Sequence, residues 1–295
     1  MTEVSEPAGA FRAWPRISPG LSRTARSLIL FIPAGSLLLL VLFCAATVIR
    51  MSFGERNAEW TAWTLANYVT LLDPFYVRIF VKTVALAAAS AVLAVMLGLP
   101  VALFMARTRS VALRHVVLLA VMLPMVINLI VQSYGWIVVL GPRGVLNTLL
   151  GQWTGTTQPT SLLFNDAGVL MGLIQTSLPL AVLPMASAFA NIPGDLEEAA
   201  NVLGASRPVV YRNIILPLAW PGIVTGALLV FAFNVGAFAV PLLLGGLKVT
   251  TIGLIIRDEM GILLNWPLGS ALSVVLMIIA MGIVAMRRVI VGSRA

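Results

Sequence analysis

The sequence predicts an all-α integral membrane protein with six transmembrane helices, and three observations predict it. Of its 295 residues, 60% are hydrophobic and only 10% are charged, against roughly 25% charged residues in soluble domains. The mean hydropathy is +1.01. Several apolar runs reach the ~20 residues that carry an α-helix across a bilayer. No water is available in the hydrocarbon layer to bond a free backbone, so runs of this length must satisfy their own N–H and C=O groups as helices. The lipid bilayer is therefore the solvent for most of the chain.

The elements follow in order. Residues 1–27 are polar, with Pro7, Pro15, Pro19, Gly9 and Gly20 spread among Arg12, Arg16, Arg23 and Arg26, and read as a flexible cytoplasmic N-terminal tail. The apolar run 28–49 is too long for a signal-peptide core and lacks a small-residue cleavage site, so it stays as the first span. Cys44, the only cysteine, lies inside it, which excludes an internal disulfide and a multi-cysteine metal site. The second span covers about 79–105 and is rich in Ala and Val. A short basic loop with Arg107, Arg109, Arg114 and the lone His115 leads to a third span at 116–140. His115 reads as an interfacial residue among arginines. A Gly/Pro/Thr-rich segment over 141–165 precedes the fourth span, 167–190. The fifth and sixth spans are expected at 216–244 and 268–286, and Arg287 and Arg288 follow the last.

Charge sets the orientation. The net charge is +8, and all but two of the nineteen basic residues are Arg, the lysines being Lys82 and Lys248. These residues form short clusters beside apolar spans and no basic face, which argues against a nucleic-acid partner. With alternate loops on opposite sides, about twelve Arg fall on one side and about seven basic residues on the other, so the positive-inside rule puts both termini in the cytoplasm. Pro33, Pro100, Pro124, Pro179 and Pro184 lie inside the expected spans, where neighbouring helices must satisfy the carbonyls they free.

The segment from Asp195 to Pro217 stands apart from the spans and by this topology faces the cytoplasm. Pro193 and Asp195 suit a helix start, and Asp195, Glu197 and Glu198 complement the positive end of a helix dipole. Gly204 offers a stop, and Ser206 can cap a second helix with Pro208 in its first turn. The expected product, over 193–217, is a short helix, a glycine bend and a second short helix returning to the bilayer at Leu216-Pro217. Small Ala199, Ala200 and Ala205 permit close approach of another protein surface, with Glu197, Glu198, Arg207 and Arg212 available for charge-assisted contacts at its rim.

Glu198-Ala199-Ala200, three residues, Gly204, nine residues, then Ile214-x-Leu216-Pro217 resembles the EAA motif of binding-protein-dependent ABC importer permeases, with every fixed position present and the motif before the penultimate span. Weaker likeness to the spermidine/putrescine-type branch runs through Asn67-Tyr68, through Gly141-Pro-Arg-Gly-Val-Leu-Asn, through the string from Trp220 to Phe231 and through Gly236-Ala-Phe-Ala-Val-Pro. The resemblance implies a type I importer permease (MetI-like) fold over 28–290 in a bacterial inner membrane. It implies that the 193–217 loop is a coupling helix docking in a cleft of a separate ATPase. It further implies as partners two ATP-binding subunits, a second homologous permease and a periplasmic substrate-binding protein. The cargo it implies is a polyamine such as spermidine or putrescine, or a related small organic cation; iron, opine, phosphonate or amino-acid-like substrates are the alternatives within the class. Gly204→Asp is expected to abolish uptake, because a Cβ and a carboxylate would obstruct both the bend and the docking surface.

Uncharged polar residues inside the spans admit two readings. Asn128 and Gln132, four apart with Ser133 and Tyr134 adjacent, Gln175 in the fourth span, and Asn234 with Phe238 in the fifth can line a translocation path. Alternatively they bond neighbouring helices, at ~0.6–2 kcal/mol each. Gly222 and Gly226 form a small-xxx-small pair that suits close helix packing. Asp73, Asp166, Asp258 and Glu259 fall on the outer side.

What the chain lacks narrows its chemistry. It has no G-x-x-x-x-G-K-[ST] phosphate cradle, so ATP and Mg²⁺ belong to a partner and no cofactor is expected here. It has no H-E-x-x-H, no G-x-S-x-G and no intramembrane Asp pair, which argues against an intramembrane enzyme. An ion-coupled secondary transporter is the remaining alternative, and such carriers hold ionisable residues deep in their spans. The middles of these spans hold none.

Overall fold

The computed structural model describes residues 23–56, 62–154 and 162–286. Most of the tail expected over 1–27, part of the 141–165 loop, and Arg287 and Arg288 lie outside the described residues. The helices are α1 (Arg23–Ser52), α2 (Ala66–Thr70), α3 (Pro74–Arg107), α4 (Val111–Val126), α5 (Leu129–Leu140), α6 (Val145–Thr154), α7 (Asp166–Ala190), α8 (Asp195–Val202), α9 (Arg207–Val210), α10 (Leu216–Val235), α11 (Ile252–Gly261) and α12 (Trp266–Ala285). Two π-helical turns, Tyr211–Ile215 and Pro241–Gly245, adjoin α10 and α11. Six helical stretches among the described residues are long and apolar enough to cross a membrane. The chain divides into two units, residues 1–47 and 48–295. In the first, α1 carries exposed Leu37, Leu39, Val41 and Phe43, the side chains a lipid-facing helix presents.

The second unit is built on α3, α7 and α10, which pack against one another. Ala87, Ala91, Ala94 and Ala102 of α3 are buried with Ala181, Val182, Met185 and Phe189 of α7 and with Ala219, Ile223 and Val230 of α10. So many alanines make sense in a bilayer, where lipid tails are as apolar as leucine and helices associate by close packing and hydrogen bonds. Glycine allows the tightest approach: a Cβ on Gly222 would overlap Ala188, and one on Gly226 would lie 2.8 Å from the Ala181 carbonyl oxygen. At mid-depth the amide of Asn234 donates to Ser90 Oγ at 2.7 Å and to Ser177 Oγ at 3.1 Å, tying all three helices.

The bundle has two distinct ends. At one, α3 and α7 finish and α8 and α9 begin. At the other, α3 and α7 start, joined by an ion pair of 2.8 Å between Lys82 and Asp166. There α11 lies against α3, its Ile252 N–H donating to Thr83 Oγ1 at 2.9 Å, and α12 packs on α11 and α10. A second apolar cluster at this far end joins Leu140 of α5, Val169 and Leu173 of α7, Val240 just before the second π turn and Leu244 within it.

The third and fifth spans differ from the expectation. The continuous helix expected over 116–140 is two helices, with Ile127 and Asn128 in extended conformations between them. Two local preferences break it. Pro124 cannot donate within the helix, and Asn128 Oδ1 accepts from Ile130 N at 2.9 Å, so that Asn128 caps a new helix. Gln132 then reaches back and donates to the carbonyls of Pro124 and Ile127, the latter at 2.8 Å. Because α4 begins beside the end of α3, where Arg114 Nε donates to the Met105 carbonyl, and α5 ends in the far cluster, the pair makes one traverse. The fifth span, expected to 244, stops at Val235; Gly236 follows, and the chain resumes as the π turn at Pro241.

Two of the weaker family strings order connections between helices, while the string from Trp220 to Phe231 lies within α10. The Asn67 amide donates to the carbonyls of Ser52 (3.0 Å) and Gly54 (2.8 Å), and the Tyr68 hydroxyl lies 2.6 Å from Ser52 Oγ, which orders the connection from α1 to α3. Asn147 likewise donates to the carbonyls of Leu140 and Gly141, at 3.1 and 2.7 Å, and closes the α5–α6 corner.

Candidate coupling site

The end of the bundle where α3 and α7 finish carries a hairpin made of α8, a bend and α9. Gly194 opens α8, its carbonyl accepting from the N–H groups of Glu197 and Glu198 at 2.9 and 3.1 Å. Asp195, Glu197 and Glu198 occupy the first turn, where the dipole favours negative charge. The helix ends in a complete Schellman motif: Gly204 N–H donates to the Asn201 carbonyl and Ala205 N–H to the Ala200 carbonyl, both at 3.0 Å. Gly204 has φ +82°, the left-handed region that glycine enters without steric cost. Ser206 opens α9 through its backbone, its carbonyl accepting from Val209 and Val210 at 3.0 and 3.1 Å. The expected hydroxyl cap is absent.

From α9 the chain runs without interruption through the first π turn into α10. Pro217 explains the wide turn. It has no N–H and its ring crowds the carbonyl four residues back, at Asn213. Widening the turn over Tyr211–Ile215 accommodates that loss, and π turns of this kind recur at functional sites.

One side of the hairpin is anchored and the other is free. Ala200, Val210 and Ile215 are buried in the main core with Met105, Phe189 and Ile192, and Ala205, Ile214 and Leu216 pack against it. Arg107, the last residue of α3, forms an ion pair with Glu197 of α8 and donates to the Ile192 carbonyl at 3.3 Å. Glu198, Ala199, Arg207, Arg212 and Pro217 are exposed. Val202 and Leu203, at the tip, are each 87% exposed. Two sequence expectations are corrected here. Ala200 and Ala205 make room for the chain's own core and not for another protein. Glu197 faces inward to Arg107 and not toward a rim. Around Gly204 an added Cβ would meet nothing within 4 Å, so within this chain only the backbone angle, and no crowding, requires glycine.

Sequence reasoning missed Arg107, Val202 and Leu203 as site residues. Val202 carries a signal: it lies about 200° around the helix from the buried Ala200, so an apolar residue there must face outward. Arg107 carries none, because its partner is 90 residues away.

The residues assigned to a path are not brought together. Asn234 is 3% exposed and both its amide hydrogens are engaged by Ser90 and Ser177, so it bonds helices. Asn128, the N-cap of α5, and Gln132, one turn inside the same helix, use their side chains to maintain the break between α4 and α5. Gln175 accepts from Trp136 Nε1 at 3.3 Å. Tyr134 and Phe238 are exposed. The four acidic residues assigned to the outer side from the sequence, Asp73, Asp166, Asp258 and Glu259, have structural partners. Asp73 accepts from Phe75 N at 2.8 Å, Asp166 holds Lys82, Asp258 pairs with Arg257 and Glu259 accepts from Asn265 at 3.0 Å. His115 is exposed on α4, with Nδ1 2.9 Å from the Val111 carbonyl.

Comparison with known proteins gives this arrangement a context. A family described as "Binding-protein-dependent transport system inner membrane component" matches residues 94–289. The spermidine/putrescine transport system permease protein PotB of Haemophilus influenzae is 34% identical over 241 residues, covering 81% of this chain and 84% of that protein. The protein of the same name from Escherichia coli strain K12 is 34% identical over 249 residues, covering 83% of this chain and 90% of that protein. Among solved structures, a bacterial ABC transporter involved in the import of the acidic polysaccharide alginate superposes with a TM-score of 0.72 at 20% identity, covering 90% of this chain and 99% of that one. The MetNI methionine ABC transporter gives a TM-score of 0.54 at 23% identity, covering 74% and 95%. The fold is that of a type I ABC importer permease.

Proposed function

The chain belongs to the family of binding-protein-dependent transport system inner membrane components, the permeases of ABC importers, and from that premise we propose that its 195–217 hairpin is the surface on which a separate ATPase acts. As a family member it is a multi-pass protein of the inner membrane and a transport component, not an enzyme. The observation that carries the reading is the contrast across the hairpin. Its inner side is fixed to the bundle by buried Ala200, Val210 and Ile215 and by the Arg107–Glu197 pair. Its tip exposes Val202 and Leu203, on a segment too polar to enter lipid. An apolar tip on a rigid mount suits a partner's cleft, as a small central anchor does in other interfaces.

In the proposed mechanism two such ATPases bind ATP and Mg²⁺ and close on each other, displacing the hairpins of this chain and of a second, homologous permease. The displacement passes along α9 and the π turn into α10, and through Arg107 into α3. A rigid-body transfer of this kind converts movement at an interface into a change of state. Substrate arrives from a periplasmic binding protein at the far end, and both termini lie in the cytoplasm.

The proposed cargo is a polyamine or a related small organic cation. Its support is kinship, the 34% identity to PotB over more than four fifths of the chain; the far-end carboxylates of Asp73, Asp166, Asp258 and Glu259, already engaged, add nothing to it.

Placing Asp at both Val202 and Leu203 tests the coupling role. The double variant is expected to insert and fold normally, because both positions are exposed, and to lose ATPase-subunit binding and uptake together; full uptake would remove the hairpin from the mechanism. Uptake of labelled spermidine by cells lacking this gene tests the cargo separately. Undiminished polyamine uptake, with loss of another solute's, would reassign the substrate within the class. Uptake that survives loss of the ATPase but collapses with the ion gradient would instead mark a secondary transporter.

A further inference from the structure

Behind the hairpin, between α8, α9 and the end of α3, lies a cavity of about 460 Å³, within the ~300–1,000 Å³ range of small-ligand sites. Three guanidinium groups, of Arg107, Arg109 and Arg207, line it with one carboxylate, Glu197. Arg107 is already engaged, by Glu197 and by the Ile192 carbonyl. Among the described residues Arg109 and Arg207 have neither an ion pair nor a side-chain hydrogen bond. Two uncompensated cations therefore face one concave space, to which Asn201 and Tyr211 add an amide and a hydroxyl.

The depth of the cavity indicates what neutralises them. Arg107 ends a helix that is apolar up to Met105 and Ala106, and Tyr211 begins the turn that leads into apolar α10. The cavity thus sits where two spans leave the hydrocarbon, at the level of lipid headgroups. Guanidinium forks match phosphate oxygens bidentately, and basic pockets between transmembrane helices hold anionic headgroups. A zwitterionic headgroup would bring its own ammonium toward two arginines, so net charge favours an anionic lipid. We propose that this cavity binds the phosphate of an anionic phospholipid headgroup, with Arg109 and Arg207 as its ligands and Asn201 and Tyr211 bonding the polar remainder. A lipid so held bridges α3 to both limbs of the hairpin.

The test uses the full-length chain without any ATPase subunit, so its failure leaves the coupling role untouched. Protein in nanodiscs of mixed phosphatidylglycerol and phosphatidylcholine is released into the gas phase and the retained lipids are counted by native mass spectrometry. The wild type should retain phosphatidylglycerol preferentially. Arg109→Gln should weaken retention about tenfold, the loss of one charge-assisted contact, while Arg109→Lys restores most of it. Asn201→Asp, a near-isosteric change at an exposed position near the end of α8 that puts a second carboxylate in the cavity, should do the same as Arg109→Gln. A matched arm in detergent adds inorganic phosphate and follows thermal unfolding: protection by phosphate, lost in Arg109→Gln, with no preference between lipids would assign the site to a free anion and overturn the lipid. Equal retention of the two lipids by all variants, without phosphate protection, overturns the site itself. In a separate arm with the ATPase subunit added, an Arg109→Gln defect confined to binding of that subunit, with lipid retention unchanged, would likewise overturn the site and make the arginines contacts for an acidic protein surface.

Discussion

Asn234 and Gln132 look alike in the sequence, each an uncharged amide within an apolar run, yet they act differently. One crosslinks three helices and the other satisfies carbonyls left open where α4 ends. Such residues cannot be sorted by type, because a buried amide bonds whatever group lies nearest and that partner decides the role. Gly204 is the opposite case: its role was legible, since a left-handed bend after a helix calls for glycine. The structure refines the prediction attached to it. With open space around the Cβ position, Gly204→Asn, which enters the left-handed region more readily than most residues, should leave the hairpin folded. Gly204→Val should cost about 1–2 kcal/mol locally, read as faster amide exchange over 195–210. If Gly204→Asn also abolishes uptake while exchange is unchanged, the glycine is needed for what docks there; normal uptake would confine its role to the bend. The Arg107–Glu197 pair was not legible at all, because sequence patterns report neighbours and this contact spans 90 residues. Removing either partner should lower stability by about 1–3 kcal/mol, and a double-mutant cycle of Arg107→Ala and Glu197→Ala by thermal unfolding should show non-additivity of at least ~0.5 kcal/mol. Additive effects would mean that the two side chains do not interact.

Among the elements, the helices built on long apolar runs were readable and their interruptions were only partly so. Pro124 was visible as a possible break in the third span, but the Asn128 cap that shifts the chain into a new helix was not, because Asn128 and Gln132 also fit one face of a continuous helix. The fifth span overran its true end for a similar reason, since residues 236–244 are as apolar as a helix interior although the backbone leaves the helix at residues 236–238. The Gly222/Gly226 pair was read correctly as a packing device, and geometry now grades it. Gly226→Val sets a Cβ 2.8 Å from the Ala181 carbonyl and must push α10 off α7. We expect a loss of about 1–3 kcal/mol and reduced yield of folded protein. Gly282→Ala, in α12 with nothing within 4 Å, should be neutral or stabilising by up to ~1 kcal/mol. Similar melting temperatures for the two variants would contradict the close α7–α10 contact.

For the whole molecule, the two ends of the second unit differ in chemistry, and their sidedness can be measured. In a Cys44→Ala background, Val202→Cys at the hairpin tip should react with a membrane-impermeant maleimide only in inside-out vesicles. Leu247→Cys, in the fully exposed loop after the second π turn, should react only in right-side-out cells. Reaction of both from the same side would overturn the six-crossing topology that charge distribution suggested. The bond network at Asn234 has a larger consequence. Ser90 and Ser177 lie near the midpoints of α3 and α7, and Ser90 is 17 residues, or about 25 Å, from the Arg107 end of its helix. Joined there to the end of α10, α3 and α7 share a fulcrum, and a sideways nudge delivered at one extremity of the pair reverses direction at the other. A seesaw balanced on a single carboxamide would narrow the mouth near the nudge as it widens the opposite one.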